Sequence, residues 1–277
     1  MHLLGITFTN QENRVPPRYD TLLVETLGHV QLLTLNRPAS GNAINLAMAE
    51  ELNHWLWELY VDAGATRCVV LTGAGERIFC GGGDMKERQT MDPSAVRRQR
   101  ALMERLIRQL TDCPVPIIAA VNGAAVGAGC EIVAAVDFAY ASEAARFSLP
   151  EVRRGISPGA GATQTIPRAC GVRRAREIIL TGAMFSAAEA LEWGLVNKVV
   201  PAAALLEETL GVARMIASNA PLAVRQAKQA LDVAEDADFA TGFRFELMAH
   251  APTARSHDRQ EALAAFAEKR EPVFRGE

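Results

Sequence analysis

The chain has 277 residues, of which 49% are hydrophobic and 22% charged, and this composition is typical of a globular protein with one large domain or two. Its net charge of −3 and its pI of about 6.0 argue against nucleic acid or an anionic membrane surface as partners, because either would require a basic surface. The five cysteines and five histidines show no metal-binding spacing, so we predict no metal site. The absence of paired cysteine motifs favours reduced thiols and a cytoplasmic location.

The first half of the chain predicts alternating strands and helices. Residues 1–19 lack the basic start and apolar centre of a signal peptide, and we predict a loose N-terminal arm. Two strands then flank the turn-forming Gly28, and Pro38 ends the second strand. An amphipathic helix follows, with Asn45 as its N-cap.

Two similar strand–loop–helix units come next, with the sequences CVVLTGAGERIFCGGGD and VPIIAAVNGAAVGAGCE. A long amphipathic helix, residues 93–110, lies between them, and no apolar run of the chain is long enough to span a membrane. This alternation predicts an α/β core over residues 20–201. Residues 202–277 contain only helical patterns, so we predict a separate helical region there, with helices at 202–217, 221–235, 240–250 and 258–269.

Two glycine-rich loops follow the strands of these units, CGGGDM at residues 80–85 and GAAVGAGCE at residues 123–131. Neither matches the dinucleotide fingerprint or the phosphate-binding P-loop. Either loop alone is typical of a tight turn. Two such loops after adjacent strands could each direct one main-chain N–H at a single oxygen atom, which is the arrangement of an oxyanion hole.

Two glutamates near these loops are candidates for acid–base chemistry. Glu131 follows Gly129 near the start of a helix and is surrounded by apolar residues, although an ionised glutamate is rarely buried without a partner. A buried carboxyl with a raised pKa is suited to proton transfer. Glu151, taken alone, is typical of a surface residue paired with Arg153 or Arg154, but beside Glu131 it suggests a second acid–base group.

From about Tyr19 to the C-terminus the sequence resembles the crotonase, or enoyl-CoA hydratase, superfamily. The resemblance is carried by motifs in the family's order, LNRPASGNAIN (35–45), VVLTGAGERIFCGGGDMKE (69–87), AAVNGAAVGAGCEIVAAVDFAYAS (119–142), FSLPEVRRGISPGAGATQTIPR (147–168), GAMFSAAEALEWGLVNKVV (182–200) and DRQEALAAFAEKREPVF (258–274). It implies a crotonase-type spiral of ββα repeats, with a helical C-terminal region that forms trimers or a dimer of trimers.

The resemblance also implies an acyl-CoA thioester as substrate, with no separate cofactor. Its carbonyl oxygen would accept hydrogen bonds from the N–H groups of Gly83 and Ala128. Glu131 would hold and deprotonate a water molecule, and Glu151 would deliver a proton to Cα. The residues that would line the CoA path are Ser40, Gly41, Gly81, Gly83, Asp84, Met85 and Lys86, together with Phe266 and Lys269 of a neighbouring subunit.

Members of the superfamily catalyse several reactions, so alternatives stay open. Two glutamates twenty positions apart are the pattern of the hydratases, and we expect hydration of a 2-enoyl-CoA. An enoyl-CoA isomerase or a specialised acyl-CoA dehydratase is the alternative on the same fold. A non-catalytic CoA- or RNA-binding scaffold is the alternative of another class, and the acidic charge disfavours RNA.

Overall fold

The structure is a computed structural model that describes residues 18–277. Within them the chain forms ten strands: β1 Leu22–Leu27, β2 Val30–Leu35, β3 Cys68–Gly73, β4 Ile78–Cys80, β5 Ile117–Val121, β6 Ala124–Val126, β7 Phe138–Ser142, β8 Arg146–Ser148, β9 Met184–Ser186 and β10 Lys198–Val200. The α-helices are α1 Leu46–Val61, α2 Met85–Arg88, α3 Pro93–Thr111, α4 Ala128–Ala135, α5 Ala162–Cys170, α6 Val172–Thr181, α7 Ala187–Glu192, α8 Leu205–Ser218, α9 Pro221–Ala234, α10 Phe239–Ala254 and α11 His257–Glu268.

The strands form two sheets, and successive repeats contribute to both. The larger sheet has the order β1-β2-β3-β5-β7-β10 and the smaller one the order β4-β6-β8-β9. In the pairs β3–β4, β5–β6 and β7–β8, the first strand joins the larger sheet and the second joins the smaller sheet, where β4, β6 and β8 are parallel to one another and β9 pairs antiparallel with β8. Helices follow each pair, so the predicted spiral of ββα repeats is confirmed.

The burial of the central strands explains their continuous apolar sequences. All five residues of β5 are buried, as expected for a parallel strand covered on both faces. In β3 the side chains alternate, so that Val69 and Leu71 join the main core while Cys68 and Val70 face a second core. Helix α8 covers this second core with Leu205 and other apolar residues.

A glycine permits the sharp passage from the larger sheet to the smaller one. Gly123 separates β5 from β6, and a Cβ atom at this position would lie 2.2 Å from the carbonyl oxygen of Arg77. Without a side chain there, the Ala124 N–H reaches the same oxygen at 3.0 Å, and β6 can pair with β4. The individual strands of the smaller sheet, β4, β6, β8 and β9, have only three residues each, which is too short to show an alternating pattern in the sequence.

Several local predictions are confirmed. The first two strands form an antiparallel hairpin at Gly28, which has a φ angle of +66°. The side chain of Asn45 caps α1 by accepting a hydrogen bond from the Met48 N–H. Among the described residues every element after Pro201 is helical, as predicted, although the first turn at Ala202–Ala204 is a 3₁₀ turn. The division of the chain at residue 201 into separate units stays a prediction.

The predicted N-terminal arm lies outside the described residues except for Arg18 and Tyr19. Tyr19 is not loose: its hydroxyl forms a 3.0 Å hydrogen bond with Nδ1 of His54, and its ring packs against the main core. The prediction is therefore wrong for Tyr19, because α1 supplies a hydrogen-bond partner from 35 positions away in the sequence. For residues 1–17 it stays a prediction. No helix among residues 18–277 combines the length and apolar character needed to cross a membrane.

Candidate active site

The candidate site lies where three neighbouring strands of the smaller sheet end. Strands β4, β6 and β8 are adjacent and parallel, so their carboxyl ends meet at one edge. Gly81–Gly83 follow β4, Gly127 and Ala128 follow β6, and Glu151 follows β8 after Leu149 and Pro150. The sheet topology therefore gathers residues that are far apart in the sequence.

The Gly83 N–H is available to a ligand because of how its neighbours are paired. Gly83 forms an isolated parallel bridge with Ile44, in which Ile44 bonds to the residues on either side of Gly83. The Ile44 N–H donates to Gly82 O at 2.7 Å, and the Asp84 N–H donates to Ile44 O at 3.0 Å. A parallel bridge of this kind turns the N–H of the central residue away from its partner. Within residues 18–277 the Gly83 N–H has no acceptor.

The Ala128 N–H is the second predicted donor, and it is also without an acceptor among the described residues. Ala128 is the first residue of α4, where main-chain N–H groups have no intrahelical partner. The two loops touch each other, since a Cβ atom on Gly82 would lie 2.7 Å from Val126 O and 3.5 Å from Ala128 N. The structure thus brings the loops of Gly83 and Ala128 together.

Glu131 is buried beside these loops, with 3% of its surface exposed. Its Oε1 accepts hydrogen bonds from the N–H groups of Ala160 at 2.9 Å and Ala162 at 3.3 Å, at the start of α5. Burial raises the pKa of Glu131, the two N–H donors oppose that shift, and the charge of Glu151 adds to it. The carboxyl is therefore held in one place while its proton affinity is increased, which suits a general base.

Glu151 lies against the N-terminus of the helix that carries Glu131. It begins the 3₁₀ turn Glu151–Arg154, and a Cβ atom on Gly127 would lie 2.7 Å from its Oε1. Its Oε2 is buried and has no hydrogen-bond partner among the described residues. Burial raises the pKa of Glu151, against the smaller effects of its own main-chain N–H and the charge of Arg154.

The interpretation of Glu151 as a surface residue paired with arginine is not supported. Among the described residues no ion pair joins it to Arg153 or Arg154. The structure instead places Glu151 against Gly127, which precedes α4, and close enough to Glu131 for the two charges to interact.

The residues predicted to line the first part of the CoA path lie beside the Gly83 loop. Ser40 ends a 3₁₀ turn and Gly41 follows it with a φ angle of +61°, and the Gly41 carbonyl accepts a 2.9 Å hydrogen bond from the Gly81 N–H. Met85 and Lys86 are exposed in α2. Their contact with CoA stays a prediction.

Phe266 and Lys269 lie in and just after α11 and are exposed. No hydrogen bond or ion pair among residues 18–277 joins either side chain to the Gly81–Arg88 segment. Within one chain the structure does not bring these two residues to the site. Their contact with the site of a neighbouring subunit stays a prediction.

Sequence reasoning missed the groups that hold the site residues in place. The donors to Glu131, Ala160 and Ala162, act through main-chain N–H groups, which carry no side-chain signal. The one local indication is Gly161 between them, which has a φ angle of +95° that other residues rarely adopt. No cluster of potential metal ligands occurs among the described residues.

Comparison with known proteins identifies the family. The family model described as enoyl-CoA hydratase/isomerase matches residues 25–277. The chain belongs to the enoyl-CoA hydratase/isomerase family. A short-chain-enoyl-CoA hydratase from Clostridium acetobutylicum is 39% identical over 251 residues, which cover 91% of this chain and 96% of that protein.

Other members of the family are similar to this chain over comparable lengths. A 2,3-dehydroadipyl-CoA hydratase from Escherichia coli is 38% identical over 255 residues, covering 92% of this chain and 98% of that protein. The crystal structure of an enoyl-CoA hydratase from Bacillus anthracis superposes with a TM-score of 0.90 at 43% identity, covering 93% of this chain and all of that chain. The resemblance inferred from the sequence motifs is confirmed.

Proposed function

We propose that the chain catalyses the reversible addition of water to a 2-enoyl-CoA, giving the 3-hydroxyacyl-CoA. The observation that carries the proposal is a pair of carboxyls, the buried Glu131 and the partly buried Glu151, beside two main-chain N–H groups that lack acceptors among the described residues. The family membership supports the same reaction, since its members include proteins named as enoyl-CoA hydratases.

The proposed mechanism begins at the thioester carbonyl. Its oxygen accepts hydrogen bonds from the N–H groups of Gly83 and Ala128, and negative charge develops on this oxygen as the enolate forms. Donors fixed before the reaction stabilise that charge, each by about 3–4 kcal/mol in comparable sites. The start of α4 adds a favourable helix dipole at the same place.

The two carboxyls then account for the protons. Glu131 removes a proton from a water molecule, whose oxygen forms a bond to Cβ, and Glu151 delivers a proton to Cα. The positions support this division, because Glu131 is fixed by two N–H donors while Glu151 has a buried oxygen free of protein partners within residues 18–277. No cofactor other than the CoA of the substrate enters the proposal.

The test is a hydration assay with crotonyl-CoA, followed by the loss of absorbance of the conjugated thioester. We expect Glu131→Gln and Glu151→Gln each to lower kcat by about a hundredfold or more while CoA binding is retained. Glu143→Gln is the matched control, since Glu143 is exposed and lies outside the site. If the protein hydrates neither crotonyl-CoA nor any longer or branched enoyl-CoA, the proposal is contradicted.

The same variants separate hydration from double-bond isomerisation. An isomerase can move a proton between Cα and Cγ with a single carboxyl, so one of the two glutamine variants would keep its rate on a 3-enoyl-CoA. A protein that neither hydrates nor isomerises but is retained on immobilised RNA at moderate salt would be a binding scaffold instead.

We also propose that the chain assembles as a trimer or a dimer of trimers in the cytoplasm. Large apolar side chains on the C-terminal helices support assembly, since Phe239 and Phe266 are each 86% exposed and Met248 is 72% exposed. Sedimentation at several protein concentrations tests the proposal, and a monomer at all of them refutes it. The five cysteines of the chain are free thiols, which agrees with a reducing compartment.

A further inference from the structure

The family resemblance assigns no role to two residues of the loop before α1, Arg37 and Asn42. Arg37 joins this loop to Asp84 directly after Gly83, and Asn42 joins it to Ala74 and Ile78. Arg37 donates from Nη1 to the Ala43 carbonyl at 2.5 Å and to Oδ2 of Asp84 at 2.9 Å. Both partners of the ion pair are largely buried, with 21% and 11% of their side-chain surfaces exposed. A pair shielded in this way is less screened by water than a surface pair.

The second oxygen of Asp84 is also engaged. Its Oδ1 accepts hydrogen bonds from the N–H groups of Lys86 and Glu87, which makes Asp84 the N-cap of α2. Burial works against ionisation of Asp84, but the donors from Glu87 and Arg37 outweigh it and hold its pKa below the ordinary value. Arg37 therefore holds the carboxylate that fixes the chain directly after Gly83.

Asn42 holds the main chain around Arg37 through its side-chain hydrogen bonds. It is fully buried with a φ angle of +51°, an uncommon conformation for a residue other than glycine. Its Oδ1 accepts from the Arg37 N–H, and its Nδ2 donates to the carbonyls of Ala74 and Ile78. Such a set of bonds allows the segment before α1 to act as a rigid base for Arg37.

We propose that Arg37 is a positioning residue for the reaction: through Asp84 it holds the Gly83 N–H in the direction of the thioester oxygen. The inference rests on the proposed function and adds a residue to it. The Asp84 N–H bonds to Ile44 O and the Gly82 carbonyl bonds to Ile44 N, so the peptide that carries the Gly83 N–H is fixed on both sides. Loss of the ion pair leaves both main-chain bonds in place but removes the side-chain contact that fixes Asp84, the residue directly after Gly83.

A direct contact between Arg37 and a phosphate of CoA is the competing role for an arginine at this place. It is disfavoured because the charge of Arg37 is already matched by Asp84 and because its Nη1 is used twice within the protein. The two roles predict different kinetics. A positioning residue changes kcat for any thioester, whereas a phosphate-binding residue changes KM only for substrates that carry the nucleotide.

The experiment compares Arg37→Met, Arg37→Lys and Asp84→Asn on crotonyl-CoA and on crotonyl-pantetheine, which lacks the nucleotide. We expect Arg37→Met to lower kcat about tenfold to a hundredfold on both substrates, with KM changed by no more than about twofold. Arg37→Lys should recover part of the loss, and the double variant Arg37→Met/Asp84→Asn should be no slower than the worse single variant. Arg98→Met is the matched control, since Arg98 forms an exposed ion pair with Glu50 and not with Asp84.

The outcomes separate failure of this inference from failure of the proposed function. An active wild-type protein with normal kcat in Arg37→Met overturns the inference alone. A loss confined to KM for crotonyl-CoA overturns it in favour of phosphate binding. A wild-type protein that hydrates no enoyl-CoA overturns the proposed function itself. Circular dichroism and thermal melting verify folding of each variant, and Asp84→Asn carries the test if Arg37→Met does not fold.

Discussion

Replacing Gly161 with alanine should raise the pKa of Glu131 and so lower the fraction of the protein with an ionised base at acidic pH, although Gly161 has no side chain in the site. Gly161 lies between the two residues whose N–H groups hold Glu131, and its φ angle of +95° is one that alanine rarely adopts. An added Cβ atom would also lie 3.2 Å from Cγ2 of Ile107 on α3. Both effects favour rotation of the main chain at this point, away from Oε1 of Glu131.

The size of the expected pKa change follows from the hydrogen bonds to Glu131 that are lost. Holding a non-glycine residue in such a conformation costs about 1–3 kcal/mol, which is comparable to the contribution of about 1.5–3 kcal/mol from one hydrogen bond to a charged group. The strained variant therefore relaxes by giving up at least part of one bond from Ala160 or Ala162. Because these donors oppose the effect of burial, their loss raises the pKa of Glu131 further.

The assay is the dependence of kcat/KM on pH. The base acts as a carboxylate, so activity is lost as the pH falls through its pKa, and a higher pKa moves this acidic limb to higher pH. Since about 1.4 kcal/mol corresponds to tenfold, the rate at a fixed pH on the limb should fall about tenfold in Gly161→Ala. Gly159→Ala is the control, because a Cβ atom at Gly159 has open space around it. Identical acidic limbs in wild type and Gly161→Ala would refute the reasoning.

Three further changes test other parts of the structure. Burial raises the pKa of Glu151, so wild type loses stability as the pH rises and this carboxyl ionises in the folded protein. Glu151→Gln cannot ionise, and its Tm should therefore exceed that of wild type by a margin that grows from about pH 4 to about pH 8. A difference in Tm that stays constant with pH refutes this. Lys228→Met should lower the free energy of unfolding, measured in urea, by about 3 kcal/mol, because Asp137 loses the 2.7 Å ion pair that joins α9 to the core. A loss below about 1 kcal/mol argues against this role. Asp258→Ala should speed amide hydrogen exchange at residues 275 and 276 about tenfold or more, because the buried carboxylate of Asp258 accepts both N–H groups; unchanged exchange there contradicts the assignment.

The sequence by itself determined the parts of the protein that depend on local chemistry. The second strand ends before Pro38, Asn45 caps α1, and the apolar run of β5 is buried on both faces, all in agreement with their residue types. Glu131 was recognisable as a candidate because a carboxyl in apolar surroundings demands an explanation. The family was recognisable because its motifs extend over nearly the whole chain.

Only the tertiary structure decided which groups hold the candidate site together. Ala160 reaches Glu131 across 29 positions of the chain, and Arg37 reaches Asp84 across 47. Glu151 resembled an ordinary surface residue until the parallel order of β4, β6 and β8 brought it against Gly127. Main-chain donors and long-range ion pairs leave no periodic or compositional trace, because they depend on where the strands of a folded sheet end and not on which residues are neighbours in the sequence.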